Sequence, residues 1–369
     1  MSESSIHSIL NAAFPKSGKE EWLRVAAQEL GSQNQIENLI WKIGGLTFYP
    51  YYEEEDLQNL PYLKNYHTSS KEGGWENLPK INVAVEKHAN ERAVASLTMG
   101  ANGVLFDVTD RIDFNINHLL EGITWPYCTV SFLAAPDTKI VTKILAYAEQ
   151  KKYQTSELKG SIFWQTFPED FAVQSSLLSS LKNYHVLGIF VPRGSPVEEI
   201  SKSLQQGVKM MDTLTDLRID KEIIFNNICL SVAADENFLI NIAKIKAIRL
   251  LWYQLSQAFE IRHYIPDNLY IHVYSENLKS ADFHPHRYMI KNTTDGLSAI
   301  LGGCNALTLV PEESNVMTDR VSLHISNILK EESHLDKVSN AVGGAYAIEN
   351  VVNELSQAAW QDFQNKMSL

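Results

Sequence analysis

From residue 81 onward, short apolar runs alternate with longer stretches in which apolar residues recur every three or four positions. The short runs read as strands at Ile81–Val85, Gly103–Val108, Tyr127–Leu133, Gly160–Trp164, His185–Val191, Ile223–Ser231, Tyr270–Tyr274 and Ala306–Val310. Between them the helical period predicts helices such as Ile140–Gln150, Pro196–Leu214, Glu236–Phe259 and Pro285–Leu301. Eight strands, each followed by a helix, is the count of a (β/α)8 TIM barrel. An open doubly wound sheet competes, but eight alternating strands would be unusual for one. The expected fold class is therefore α/β: a TIM barrel with an extended N-terminal arm and two extra C-terminal helices, Arg320–Glu332 and Ala345–Asn365. In the longest helix, Phe238, Ile242, Ile245, Leu250, Tyr253 and Leu255 fall near one face, which leaves Lys244, Lys246 and Arg249 to sit outside.

The first 80 residues have a different texture, so the chain divides into an N-terminal helix and aromatic arm (1–80) and the barrel (81–369). Trp22, Val25, Ala26 and Leu30 are at helical spacing between Lys19 and Leu30, with Ser17 as the expected cap. An acidic segment with two prolines and no clean period follows, carrying Phe48, Tyr49, Tyr51, Tyr52, Tyr62 and Tyr66. Such a segment cannot bury those rings by itself and must lie across another surface, either its own barrel or a partner subunit. Phe48, Tyr49, Tyr51, Tyr52 and Tyr66 are the candidate interface residues.

Composition narrows the function classes. The 369 residues carry 32 Lys+Arg against 44 Asp+Glu, a net charge of -12, which argues against a nucleic-acid or anionic-membrane surface. Cys128, Cys229 and Cys304 share no metal-type spacing and are odd in number, so neither a disulfide framework nor a thiolate zinc site is expected. The opening MSESSIHSIL has no secretory pattern, and no window holds eighteen uninterrupted apolar residues. The expectation is a soluble cytoplasmic protein.

In a barrel, chemistry belongs at the C-terminal ends of the strands. Those ends read Glu86-Lys87-His88, Thr109-Asp110-Arg111, Ala134-Ala135-Pro136-Asp137, Gln165-Thr166, Pro192-Arg193-Gly194, Ala233-Ala234-Asp235, Ser275-Glu276-Asn277 and Pro311-Glu312-Glu313. They repeat no carboxylate or imidazole theme, and the early HxH of a metal hydrolase barrel is missing. The stretch Asp282-Phe283-His284-Pro285-His286-Arg287 holds both an HxH and a DxH, yet it reads first as a helix start with Asp282 as cap. Tyr184-His185 resembles an acid and its orienter, but it stands at the start of the fifth strand, on the wrong end of a barrel. Gly302-Gly303 and Gly343-Gly344 are turn glycines, and no phosphate-binding glycine loop is present. Spacing alone yields a barrel without an active site.

Longer stretches carry a family resemblance. FPKSGKEEWLRVAAQELG…IENLIWKIGGLTFYPYYEEEDL near the N-terminus, ENFLINIAKIKAIRLLWYQL after the sixth strand, and NTTDGLSAILGGCNALTLVPEE with the closing helices resemble the small subunit of methylmalonyl-CoA mutase. The resemblance spans almost the whole chain. It implies a TIM barrel that in catalytic relatives threads coenzyme A along its axis and stacks adenosylcobalamin on its C-terminal face. Those relatives interconvert methylmalonyl-CoA and succinyl-CoA by radical rearrangement.

Against the catalytic pattern this chain departs in four places. Aligned on Gly194-Ser195-Pro196-Val197-Glu198-Glu199, the family's SGYHxxEAG tyrosine–histidine pair falls on Gly188-Ile189, four residues past Tyr184-His185. The glutamine ending the family's G-T-I-Q motif falls on Phe163. Leu63-Lys64-Asn65-Tyr66-His67-Thr68 stands in place of the LRGPYATMY tract, and the cobalt-ligating DxHxxG motif has no counterpart. The resemblance thus implies no catalytic residue in this chain, Phe163, Gly188 and Ile189 being degenerate positions. It implies no cofactor bound by this chain alone, with adenosylcobalamin reaching the complex through a large catalytic subunit as partner. A homodimer is an open state for the isolated chain. Phe106, Phe132, Phe163 and Phe190 are the side chains expected to plug the axis, at least some of them pointing inward. The alternative is a catalytic acyl-CoA mutase barrel completed by a separate cobalamin-binding chain.

Overall fold

The computed structural model describes residues 18–368, apart from 32, 44, 59, 61, 63–73, 112, 170, 172–177, 179, 235, 277–285, 312 and 314. Its centre is a parallel sheet of β3 (Glu76–Asn77), β4 (Lys80–Asn82), β5 (Gly103–Asp107), β6 (Thr129–Ala134), β7 (Gly160–Trp164), β8 (Tyr184–Phe190), β9 (Ile228–Ala233), β10 (Tyr270–Tyr274) and β11 (Ala306–Thr308). From β4 to β11 each strand pairs with the next, and β3 pairs with β11. Leu78 and Pro79 alone separate β3 from β4, so the two ends of the sheet are halves of one segment. Pro79 has no N–H to give, yet its carbonyl accepts from Leu105 N (3.0 Å), and Leu78 N reaches Leu307 O (2.9 Å) on the other side. The sheet closes there into an eight-position ring, the architecture the alternation predicts.

Several helices start at a short polar side chain that caps them. Ser195 and Glu198 form a reciprocal capping box ahead of Pro196 at the head of α6 (Pro196–Asp216). Asn237 caps α8 (Phe238–Ala258). Asp220 caps α7 (Lys221–Asn227), and this corrects the expected sixth strand at Ile223–Ser231. A seven-residue helix occupies its first half, and the strand is confined to Ile228–Ala233. The first strand likewise starts at Glu76 rather than at 81. Around the ring lie α3 (Glu86–Thr98), α4 (Ile116–Leu119), α5 (Lys139–Lys151), α9 (Arg287–Leu301), α10 (Val316–Glu331) and α11 (Tyr346–Met367). At the end of α9, Gly303 adopts φ +88°, the left-handed turn expected of it.

Lys244, Lys246 and Arg249 do not sit outside; all three are buried. α11 closes over α8 from the far end of the chain while α6 and α9 flank it, so little of α8 stays exposed. Each cation is answered. Lys244 Nζ lies 2.7 Å from Glu199 Oε2 and 2.8 Å from Ala233 O, and Lys246 Nζ lies 2.9 Å from Glu349 Oε1. Arg249 donates to the carbonyls of Pro266, Leu269 and Gly303 and to Asn305 Oδ1, tying down the turns that feed β10 and β11.

The arm consists of α1 (Lys19–Leu30), the antiparallel hairpin β1 (Trp41–Ile43) and β2 (Leu46–Phe48), and α2 (Glu54–Gln58). Ser17 and Tyr66 are outside the described residues. The hairpin and α2 rest on α11. Phe48 is fully buried against Trp41 and so has no surface to offer a partner, whereas Tyr49 is 51% exposed and Tyr51 and Tyr52 are half-buried.

Candidate functional site

A barrel of this kind has two places for a site, the axis and the C-terminal rim, and strand parity decides what each receives. Leu78, Leu105, Leu133, Phe163, Cys229 and Ala306 form an inner cluster, with Phe190 and Tyr270 packed against it, separate from the sheet–helix layer. Phe163 and Phe190 therefore point inward, as expected of plugging residues. Phe106 and Phe132 do not: they face the helices, near Phe114 and Trp125.

The axis is filled in tiers. At the N-terminal end, Glu76 accepts from Thr129 Oγ1 (2.5 Å) and from Tyr270 OH (2.7 Å), while the His185 ring lies 5.3 Å from that of Tyr270. Burial and then the Glu76 charge push the Tyr270 hydroxyl well above its ordinary range, so it stays a donor. In the middle tier His272 is fully enclosed, stacked on Phe163 at 5.2 Å. Thr308 Oγ1 donates to Leu78 O, so it accepts from His272 Nε2 (2.8 Å); Ser231 Oγ donates in turn to His272 Nδ1 (2.8 Å). Burial, and then the charge of Lys80, lower the His272 pKa to about 3, which keeps the imidazole neutral. Above it Phe190 stacks on Tyr274 at 5.3 Å, and the Tyr274 hydroxyl is spent on Val191 O. Ser231 and His272 thus have a nucleophile's spacing, but Thr308 and Leu78 use their hydrogen bonds, and nothing can approach them.

The rim is laced by charge. Arg193 bridges from the loop after β8 to Glu236 (2.7 Å) and Glu276 (3.3 Å) beyond β9 and β10. Arg111 donates to Ala84 O and pairs with Glu86. Of the DxH segment, Asp282 and His284 are outside the described residues, and His286 is exposed at the start of α9. Among the described residues no three His, Cys, Asp or Glu side chains gather as a metal site.

The three positions that the resemblance reads as degenerate are placed unequally. Phe163 and Gly188 are register partners on β7 and β8, both facing the axis, and a Cβ on Gly188 would meet Ile162 O at 2.1 Å and the Phe163 ring at 3.0 Å. Ile189 points the other way, into the sheet–helix layer. A register shift between Ser161 and Phe163 gives β8 one extra residue, so the inward positions there run His185, Gly188, Phe190. Tyr184-His185 stands at the N-terminal end of β8, with Tyr184 turned outward against Trp125.

A model of the methylmalonyl-CoA mutase family matches residues 193–367. The methylmalonyl-CoA mutase small subunit of Porphyromonas gingivalis is 22% identical over 96% of this chain and 63% of its own length. The chain is similar to the methylmalonyl-CoA mutase small subunits. That of Streptomyces virginiae is 28% identical over 49% of this chain and 29% of its own length. Among solved structures, a Yersinia pestis dihydropteroate synthase superposes with a TM-score of 0.40 at 11% identity, covering 80% of this chain and 99% of that one. The chain therefore spans less than two thirds of the length of the mutase small subunits it matches. Within its own span, the mutase resemblance expects a glutamine and a tyrosine–histidine pair on β7 and β8; this relative has Phe163 and Gly188 facing the axis, neither with a polar side-chain atom. The axial network around His272 was not legible as a site, because Ser231, His272 and Thr308 lie far apart in sequence and only strand register brings them together.

Proposed function

We propose that the chain is a non-catalytic small subunit of an adenosylcobalamin-dependent methylmalonyl-CoA mutase, a barrel that pairs with a large catalytic subunit and stabilises it. The observation that carries this reading is the filled axis: Phe163, Cys229, His272 and Leu105 are each at most 3% exposed and occupy the volume a pantetheine chain would need. A thioester carbonyl set against Phe163 and Gly188 would lose its hydrogen bonds to water and gain none, which disfavours it by a few kcal/mol on the order-of-magnitude scale for buried polar groups. The residues present do not fit the acyl-CoA, and no step of the isomerisation is assigned to them. The cofactor, in this reading, belongs to the partner. The alternative, a split enzyme completed by a separate cobalamin-binding chain, would need the axis open.

Tyr49, Tyr51 and Tyr52 are the proposed contact residues, since half-exposed tyrosines are favoured at interfaces. The test is co-purification with a large mutase subunit and the thermal stability of that subunit alone and in the complex. The reading expects a stable heterodimer, a raised melting temperature for the large subunit, and weaker association for Tyr49→Ala. Failure of the two chains to associate would overturn it.

A further inference from the structure

Glu349, on the first turn of α11, is 3% exposed and collects donors from three different parts of the chain. Lys246 Nζ reaches Oε1 from α8 at 2.9 Å, and Gly344 N reaches the same oxygen from the preceding turn at 3.0 Å. The Tyr62 hydroxyl reaches Oε2 at 2.6 Å and also lies 3.1 Å from the Glu349 carbonyl. The side-chain hydrogen bonds around the hairpin and α2 include two kinds. One is local: Lys19 to Glu53 and Asp56, Tyr49 N to Tyr52 OH, Glu53 N to Asp56. The other is Tyr62 on Glu349.

The two sides of this carboxylate are not equivalent. Lys246 is on the inner side and buried, so the charge of Glu349 remains neutralised whatever the arm does. Tyr62 is half-buried at the outer edge, where water can replace it on Oε2. Removing the arm therefore strands no buried charge, which is the usual obstacle to opening such a network. The hairpin and α2 also rest on α11, with Phe48 buried in the core there.

We propose that Glu349 is a latch: its bond to Tyr62 helps hold the hairpin and α2 against α11, and these two elements open from α11 while the barrel stays folded. Opening would uncover the underside of the hairpin, Trp41 and Phe48, together with the face of α11 they rest on, a larger apolar surface than the closed chain presents. This inference does not depend on the mutase reading.

Amide hydrogen exchange of the full chain, wild type against Tyr62→Phe and Glu349→Gln, tests it. Tyr62→Phe removes only the arm's bond and leaves the Lys246 pair in place. Exchange in 41–58 should speed up roughly tenfold or more, the effect of losing one hydrogen bond to a charged group, with β5 to β10 unchanged. Glu349→Gln should speed the arm and also the α8 turn around Lys246. Equal acceleration of arm and barrel strands in Tyr62→Phe would overturn the proposal, as would an arm unaffected by either substitution.

Discussion

Along the barrel axis, Phe163, His272, Tyr274 and Phe190 stack face to face inside a closed ring of backbone. In the arm, Trp22 stacks on Tyr51 at 5.2 Å and Lys19 lies over Tyr49 and Tyr52, but one side of each ring remains in water. The axial rings cannot be reached without parting hydrogen-bonded strands, and the polar atoms of Tyr270, His272 and Tyr274 are already satisfied by neighbours. The arm tyrosines are covered instead by side chains of α1, Trp22 and Lys19. The inner positions of the barrel are filled by packed side chains. Away from it, aromatic area is left unspent. Filled space confers stability and half-covered area is available to a partner, which is the physical basis for reading the chain as a binding subunit.

Truncation should separate the two regions most sharply. Phe163→Ala would open a cavity where no backbone can collapse to fill it, at a cost of about 3–5 kcal/mol in urea denaturation. Tyr49→Ala in the arm should stay within about 0.5 kcal/mol of wild type. Similar costs at both positions would erase the contrast. A smaller effect follows from titration. His272 is held neutral with a pKa of about 3, below its ordinary 6.5, and burial lowers His185 in the same direction. The unfolded chain therefore binds protons that the folded chain refuses, so this stability is complete above about pH 6.5 and is lost as pH falls. Between about pH 7.5 and about pH 5, His272 alone accounts for a loss of about 2 kcal/mol. His272→Gln should flatten that slope even though it lowers stability at neutral pH; an unchanged slope would place a charged or solvated imidazole in the axis.

The fold was largely legible because alternation survives in single residues: seven of the eight expected strands coincide with observed ones to within a few residues. The sixth was blurred because Ile223, Ile224 and Phe225 form an apolar run that Asp220 caps as a helix. The site was less legible. Parity counted from His185 puts Ile189 on the axis, but the extra residue in β8 puts Gly188 there instead, and a bulge leaves no mark in one strand's composition. The buried cations of α8 were misplaced for a related reason. A helical wheel shows one apolar face, and Lys244 and Lys246 lie off it; only α11, about a hundred residues later, supplies Glu349 and the cover that turns the opposite face inward. For Lys244 the partner is Glu199, 45 residues earlier.

Isothermal titration of the purified chain with succinyl-CoA at micromolar concentration tests the filled axis most directly. The account predicts no heat of binding, with Phe163 and His272 keeping the axis closed to the acyl chain. Saturable heat at one site per chain would contradict it and would return the barrel to the split-enzyme reading.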